Sequence, residues 1–449
     1  MVEAINTRSR QEGNANAETT EILTTHLTPR MIAAKVVSTI VLHSPAAAKS
    51  PRPRKEPLST HAIDACARIP GRCRFSCAIL LFMRAAVFFL VLFPAILAAQ
   101  DSNPDALLKH AIDAQQHGDY SAAIADYRKL LELRPNDVEA KVNLGAALAH
   151  AGQYDEAIEM YRSALPSLKN KNMVLVNLAL AYYKKGDFEH AREQFTVLHD
   201  AQPNDVRTIV LLGDTDLHLG KADSALNLLE PLESKYLQNM DFEYVLGSAM
   251  IRTGRRRDGV ARIEKVAQAG PSPDSYMLAG ATLLDLNEYE QARKDLEEAF
   301  RLAPALPGLS TLVGIARDKT GDVKDAEPAF REALKANPDD FQANLYLGAI
   351  LYKRRDTAEA KGYLDRAITL KPKDSMARYE SAMLKSTSGD YETAARDLEQ
   401  LTKDDPDWLE PHVELAALYY RLHRPEDGAK ERQIVDQITA KQQAQGPGK

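Results

Sequence analysis

Cys66, Cys73 and Cys77 stand near His61, and thiolates with an imidazole are donors that hold zinc. Intervals of six and three residues between the cysteines match no zinc-site spacing. A metal centre there competes with two plainer readings, a basic tail or an extension outside the folded part, and the spacing favours the extension. No His-Glu-x-x-His, Gly-x-Ser-x-Gly or dinucleotide-binding glycine fingerprint occurs. Gly213 to Gly220-Lys221-Ala222 has the outline of a phosphate loop. Six residues separate its glycines, however, and Ala222 has no hydroxyl to offer a metal ion. The carboxylates are spread at solvent-facing helical intervals, with no pair set as acid and base. The sequence therefore predicts no catalytic residue, no cofactor, no metal and no small-molecule substrate.

What the sequence does contain is a ruler. Gly118, Gly152, Gly186, Gly220, Gly254, Asn287, Gly321, Arg355, Gly389 and His423 follow one another at 34 residues, except for one step of 33 between Gly254 and Asn287. A fixed period of this length is the signature of a solenoid. Five residues past each mark stands Ala or Gly (Ala123, Ala157, Ala191 and onward), and seven before it another small residue, such as Gly145, Gly280 or Gly348. Apolar residues between them run at helical spacing, as in Leu144, Leu148, Ala157, Ile158 and Tyr161. Each unit is thus helix A, a tight turn at the mark, and helix B, with small residues letting the two axes approach. Pro135, Pro203, Pro271, Pro304, Pro338, Pro372 and Pro406, 17 residues past their marks, stop helix B. Asn136-Asp137, Asn204-Asp205, Asp339-Asp340 and Asp407 then supply N-caps for the next helix A. Pro166 and Pro231 come early, so irregular junctions are expected there.

This pattern resembles the tetratricopeptide repeat family over about residues 104–423. The resemblance implies an all-α fold, an α-solenoid in which antiparallel helix pairs wind into a right-handed superhelix with a concave groove lined by helix A. It also implies a binding module and not an enzyme. Carrying the family's groove register onto this chain gives Tyr183, Lys184, Arg207, Asp214, Tyr244, Arg252, Tyr352, Lys353, Tyr379, Met383 and Tyr420 as candidate partner-binding residues. Tyr, Met and Arg are enriched in binding surfaces, though any one of these can instead pack between repeats. The family's clamp for a terminal carboxylate is not matched: Leu108 and Ile112, or Val142 and Ala146, fill slots that need Lys and Asn.

The chain divides unevenly. Residues 1–82 carry 11 Lys/Arg against 6 Asp/Glu and read as a disordered or mis-started extension. Residues 83–99 begin Met83-Arg84, continue with an apolar run from Ala85 and end in Ala98-Ala99, the form of a secretory signal cleaved before Gln100. The alternative is a membrane anchor over residues 78–99, and membrane contact is expected only through this segment. Residues 100–441 are the repeat array with a C-terminal capping helix, and 442–449 a polar tail. Residues 100–449 hold 45 Lys/Arg against 57 Asp/Glu and no cysteine. An acidic, thiol-free module suits an exported compartment and disfavours nucleic acid. The expected function is a scaffold of the bacterial envelope, periplasmic or secreted, that binds a protein or peptide. The alternative is a structural part of an outer-membrane or surface-polysaccharide assembly complex. Arg255-Arg256-Arg257 at the fifth turn reads either as a docking corner for an acidic partner or as a solvated turn.

Overall fold

The computed structural model describes residues 103–444. The expectations for residues 1–82 and 83–99 lie outside them. The described part is helical without a strand, and it falls into two compact units that meet in sequence at Gly220 and Lys221. The first holds α1 (Pro104–Gln116), α2 (Tyr120–Leu133), α3 (Val138–His150), α4 (Tyr154–Ala164), α5 (Asn172–Lys185), α6 (Phe188–Ala201) and α7 (Val206–His218). The second opens with α8 (Ala222–Leu229), the one-turn α9 (Glu233–Tyr236), α10 (Met240–Arg252) and α11 (Arg256–Ala269). It continues with α12 (Pro273–Asp285), α13 (Tyr289–Leu302), α14 (Leu309–Lys319), α15 (Val323–Ala336) and α16 (Phe341–Lys353). Last come α17 (Thr357–Leu370), α18 (Ser375–Thr387), α19 (Tyr391–Asp404), α20 (Leu409–Arg421) and α21 (Pro425–Ala444). Within each unit helix A packs on the helix B that follows it, as α3 on α4 and α16 on α17, and each B meets the next A.

The turn between A and B is set by one residue. All ten marks are left-handed: seven glycines at φ 70° to 91°, with Asn287 at 60°, Arg355 at 70° and His423 at 58°. In that conformation the next amide reaches back five residues to close helix A, as Gln153 N to Leu148 O at 2.9 Å and Asp187 N to Tyr182 O at 2.9 Å. The junction from B to A uses capping side chains. Asp137 accepts from Ala140 N at 3.0 Å, Asp205 from Thr208 N at 3.3 Å and Asp340 from Ala343 N at 2.9 Å. Asp407 departs from this: Trp408 takes the cap position, and Asp407 pairs with Lys441 at 2.8 Å instead. Early prolines deform their junctions as expected, giving 3-10 turns at Leu165–Ser167 and Glu230–Leu232. The 33-residue step is absorbed in a three-residue linker, Gly270 to Ser272, while α11 and α12 keep 14 and 13 residues.

The small residue before the turn faces a large one after it. A Cβ built on Gly145 would lie 2.7 Å from the Tyr161 ring, one on Gly314 2.6 Å from the Phe330 ring, and one on Gly280 or Gly348 2.6 or 2.7 Å from Leu296 or Leu364. Tyr161, Phe330, Leu296 and Leu364 are all buried. At the chain end, α21 is itself the B helix of the last pair, with Gly428 against Tyr420, and no further helix covers it among the described residues. It is pinned by His412 of α20, whose Nδ1 lies 2.6 Å from Glu431.

Ion pairs tie successive repeats along the B side: Arg293 to Asp322 at 2.9 Å, Arg331 to Glu359 at 2.7 Å, Arg354 to Glu327 at 2.6 Å. These are partly exposed and contribute modestly. One acidic pair on this side is only partly offset by a nearby cation. Asp295 of α13 is 4% exposed, its Oδ2 lacks a hydrogen-bond partner, and Gln291 Nε2 reaches both it and Glu264 of α11 at 3.4 Å. Burial, helped by the Glu264 carboxylate and opposed by Lys294, pushes the Asp295 carboxyl up to about 7 from 3.8.

Two tests follow from this packing. Gly145→Leu forces a side chain into the Tyr161 ring, and overpacking of this kind costs about 1–3 kcal/mol. Because repeats couple to neighbours, hydrogen exchange should rise in α3 to α5 and stay unchanged in α18 to α20. A uniform rise along the chain would refute the nearest-neighbour picture. The second test concerns Asp295. Its folded pKa exceeds the unfolded one, so the folded state binds the proton more tightly. Stability from this group is complete below about pH 4 and is lost as pH climbs through about 7. Asp295→Asn should remove that loss, on the order of 1–3 kcal/mol, so urea midpoints of variant and parent should converge at pH 4 and separate at pH 8.

Candidate functional site

The predicted groove residues sit on A helices, but the structure gathers them into two separate groups. In the first unit, Tyr183 at the end of α5 is 6% exposed and its hydroxyl donates to Asp214 Oδ2 on α7, itself 2% exposed. His218 Nε2 is 3.1 Å from the same hydroxyl, and Phe188 stacks on the His218 ring at 4.1 Å between centroids. Asp216, one turn edge away, binds Arg192 Nε at 2.5 Å. Tyr183 and Asp214 are therefore spent on each other, joining two successive repeats, and present little surface to a partner. Lys184 beside them is half-buried, and that burial lowers its ammonium pKa. Arg207 stands exposed near the start of α7.

In the second unit the A helices α12, α14, α16 and α18 touch in sequence, and each B helix meets the following A. A stack whose A helices approach one another in this way bends around them, so this layer is its inner face. Tyr352 near the end of α16 and Tyr379 on α18 lie on it one repeat apart, both half-buried. Tyr379 packs on Trp408 with centroids 5.3 Å apart, and the Lys353 ammonium lies 5.9 Å from the Tyr352 ring centre. The residue that organises the pair is Glu380. It is 3% exposed, receives a hydrogen bond from the Tyr352 hydroxyl, and keeps its Oε2 without a partner. Burial pushes the Glu380 carboxyl above the usual range; the Lys353 ammonium and the Tyr352 hydroxyl pull it back, and Asp318 on α14 adds to the rise. Asp318 is raised by burial too, against Lys353 and Lys319. Burial likewise raises both phenols, and Glu380 and Glu414 of α20 raise them further. Four carboxylates, Asp318, Glu380, Glu410 and Glu414, thus act on one patch carrying two tyrosines and one lysine.

The remaining candidates distribute around this patch or away from it. Met383 is half-buried on α18, and Tyr244 half-buried on α10, packed against the core that includes Ile251 and Met277. Arg252 is exposed at the end of α10. Tyr420 turns toward α21, where Arg432 caps its ring at 4.9 Å and Gly428 makes room for it, so it does not join Tyr352 and Tyr379. Of the arginine run at the fifth turn, Arg255 pairs with Glu230 and Asp258, and Arg257 with Glu288 at 2.7 Å. That internal pairing fits the solvated-turn reading. A cleft of about 460 Å³ beside the Asn287 turn is lined by Glu288, Tyr289, Glu290, Gln291, Lys319 and Thr320 and contains none of the predicted residues. Among the described residues no cluster of three metal-ligating side chains occurs, and no helix is long and apolar enough to cross a membrane. Cys66, Cys73, Cys77 and His61 lie outside them.

Glu380 and Asp318 were not among the sequence-predicted residues, yet the repeat carries a signal for the first. Nine residues before its mark, the slot holds Leu211, Val245, Leu278 and Leu312 in four other repeats, all buried. In the first three repeats it holds Lys109, Asn143 and Asn177, and in the eighth Tyr346, so the slot is apolar only in the middle of the array; Glu380 occupies it in the ninth repeat and Glu414 in the tenth. Asp318 takes the slot that Tyr183 and Tyr352 take in theirs.

Comparison with known proteins agrees with this architecture. Profiles described as tetratricopeptide repeat match residues 108–172 and 314–375 in one case, and 174–196 and 273–306 in another. Anaphase-promoting complex subunit 3 of Schizosaccharomyces pombe is 23% identical over 233 residues, covering 52% of this chain and 35% of its own length. Human tetratricopeptide repeat protein 21A is 27% identical over 167 residues, 37% of this chain and 13% of its own. The chain thus spans about a third or less of these curated relatives. A solved tetratricopeptide repeat protein from Parabacteroides merdae aligns with a TM-score of 0.46 at 17% identity, covering 54% of this chain and 97% of that one. With left-handed turns at a 34-residue beat, small residues facing large ones across each pair, and family profiles matching four stretches between residues 108 and 375, the chain carries tetratricopeptide repeats.

Proposed function

We propose that this protein is a non-catalytic interaction scaffold that holds a protein or peptide partner on the A-helix face of its second unit. The observation that carries the reading is the Tyr352–Tyr379 pair: two aromatic side chains one repeat apart, neither fully buried, set among acceptor groups. Aromatic anchors ringed by polar groups are what binding hot spots are made of. A relative whose name marks it as a complex subunit supports a role in assembly. Alanine at either tyrosine would also strip packing from the core behind it, so loss of binding in such a variant would be ambiguous. Photo-crosslinking avoids this. With p-benzoylphenylalanine at Met383, adducts should form with a discrete partner in extract of the native host. The same group at Lys361, on the exposed side of α17, should give none. Adducts from Lys361 alone would overturn the assignment to the A-helix face.

The working compartment belongs to the same proposal: the array is exported through the segment at residues 83–99, in a bacterial envelope. Support comes from the Met83-Arg84 start, the apolar run, the small residues before Gln100 and the absence of cysteine after Cys77. Protein recovered from that envelope should begin at Gln100 or one residue earlier on N-terminal sequencing. Peptides from residues 1–82 in the native host would refute the start at Met83.

A further inference from the structure

Hydrogen-bonding capacity on the A-helix layer of the second unit is lopsided. Among the described residues, Ser248 Oγ on α10, Gln342 Oε1 on α16 and Glu380 Oε2 on α18 are buried side-chain oxygens on it without a hydrogen-bond partner. The Gln342 oxygen only accepts, and an acceptor left without a donor inside a protein is costly, so it marks a place where a donor belongs. Glu380 Oε2 accepts when the carboxyl is ionised, and a cation brought beside it favours that form against the burial that raises its pKa. Around Glu380 the groups come from three successive A helices. Asp318 is on α14, Tyr352 and Lys353 on α16, and Tyr379 on α18 beside Glu380 itself, so the charged and hydrogen-bonding groups that act on this carboxyl belong to the A-helix layer. Lys353 shows what the patch attracts. Its ammonium sits over the Tyr352 ring and opposes the rise of both Glu380 and Asp318, the position of a counter-ion to this pair.

Resting on the proposed scaffold role, we infer that the patch formed by Asp318, Tyr352, Tyr379, Glu380 and Glu414 receives a basic peptide segment, with an arginine side chain as its anchor. The guanidinium presents five donors and no acceptor, the complement of a site rich in acceptors and short of donors. Its flat face stacks on tyrosine, and carboxylates take it in paired hydrogen bonds. The surrounding charge has the right sign for such a partner, since residues 100–449 hold twelve more acidic than basic side chains, 57 against 45. An acidic peptide would instead meet Glu380, Asp318, Glu410 and Glu414 together. A purely apolar peptide would leave Glu380 Oε2 as it is.

The test uses the full chain and a fluorescein-labelled hexa-arginine peptide, read by fluorescence polarisation. Hexa-citrulline, the same shape without charge, is the comparison. Hexa-arginine should bind at least tenfold more tightly than hexa-citrulline and weaken as salt rises. Glu380→Gln keeps the side-chain shape and should weaken hexa-arginine at least tenfold, whereas Glu159→Gln on exposed α4 should leave it unchanged. Should Glu380→Gln fail to fold by circular dichroism, Asp318→Asn replaces it with the same expectation. Equal binding of the two peptides, or equal loss in Glu159→Gln, reduces the effect to bulk charge and overturns the inference. If Glu380→Gln binds hexa-arginine like the parent while Met383 still crosslinks a partner, the scaffold role stands and the arginine anchor falls. If Met383 yields no adduct but hexa-arginine binding depends on Glu380, the cation site stands apart from the scaffold role.

Discussion

Everything in this molecule depends on how closely helix A can approach helix B, and that distance is set by a missing atom. Where Gly145, Gly280, Gly314 or Gly348 faces its partner helix, the space a β-carbon would need is filled by Tyr161, Leu296, Phe330 or Leu364. The large side chain is thereby removed from water entirely, and each pair gains a buried contact that neither helix could make alone. The left-handed turn serves the same end. It brings the chain around in three residues, so the small residue seven positions before the turn and the large one nine after it arrive at the same level. Glycine at the mark and glycine at the crossing look alike in sequence, yet one supplies a backbone angle and the other supplies room.

These local requirements explain what could be read from the sequence. A turn needs its residue at a fixed place, so ten marks predicted ten tight turns, and the structure makes all ten left-handed, even at Asn287, Arg355 and His423, which carry side chains into a conformation glycine favours. Capping was legible at Asp137, Asp205 and Asp340 for the same reason: donor and acceptor lie three residues apart. Asp407 failed on register: the cap lies two residues past the proline, as at Asp137, Asp205 and Asp340, and after Pro406 that residue is Trp408. The polar patch was only half legible. Register placed Tyr352 and Tyr379 on one face, but the burial of Glu380, Asp318 and Asp295 depends on which neighbouring helices close over them, and that is decided by stacking. Tyr183 and Asp214 show the opposite error. They have the register of surface residues, and the contact between successive repeats consumed them.

The two polar groups on A helices differ in a way that bears on their use. Around Tyr183 the phenol, carboxylate and imidazole close on one another. Such a network fixes the spacing of repeats and gains nothing from a newcomer. Around Glu380 the inventory does not close, since one carboxylate oxygen is unserved while two phenols and a lysine share the space. The protein keeps a buried carboxyl group where the fourth to seventh repeats keep Leu or Val. That substitution is unfavourable for folding by itself, which is the usual relation between a binding site and the scaffold that supports it.

The three-residue linker at Gly270 to Ser272 has a consequence for how an array of this kind can change in length. A residue lost inside a helix would turn everything beyond it by roughly 100°, carrying apolar positions to the surface and small residues away from their large partners. A residue lost between helices alters only the hand-over from one pair to the next, and α11 and α12 on either side keep their full lengths. Insertions and deletions are therefore silent in the joints and ruinous in the rods. The chain's beat of 34 is less a property of the repeat as a whole than the sum of a rigid stretch and an adjustable one, and inheritance can edit only the second without losing the fold.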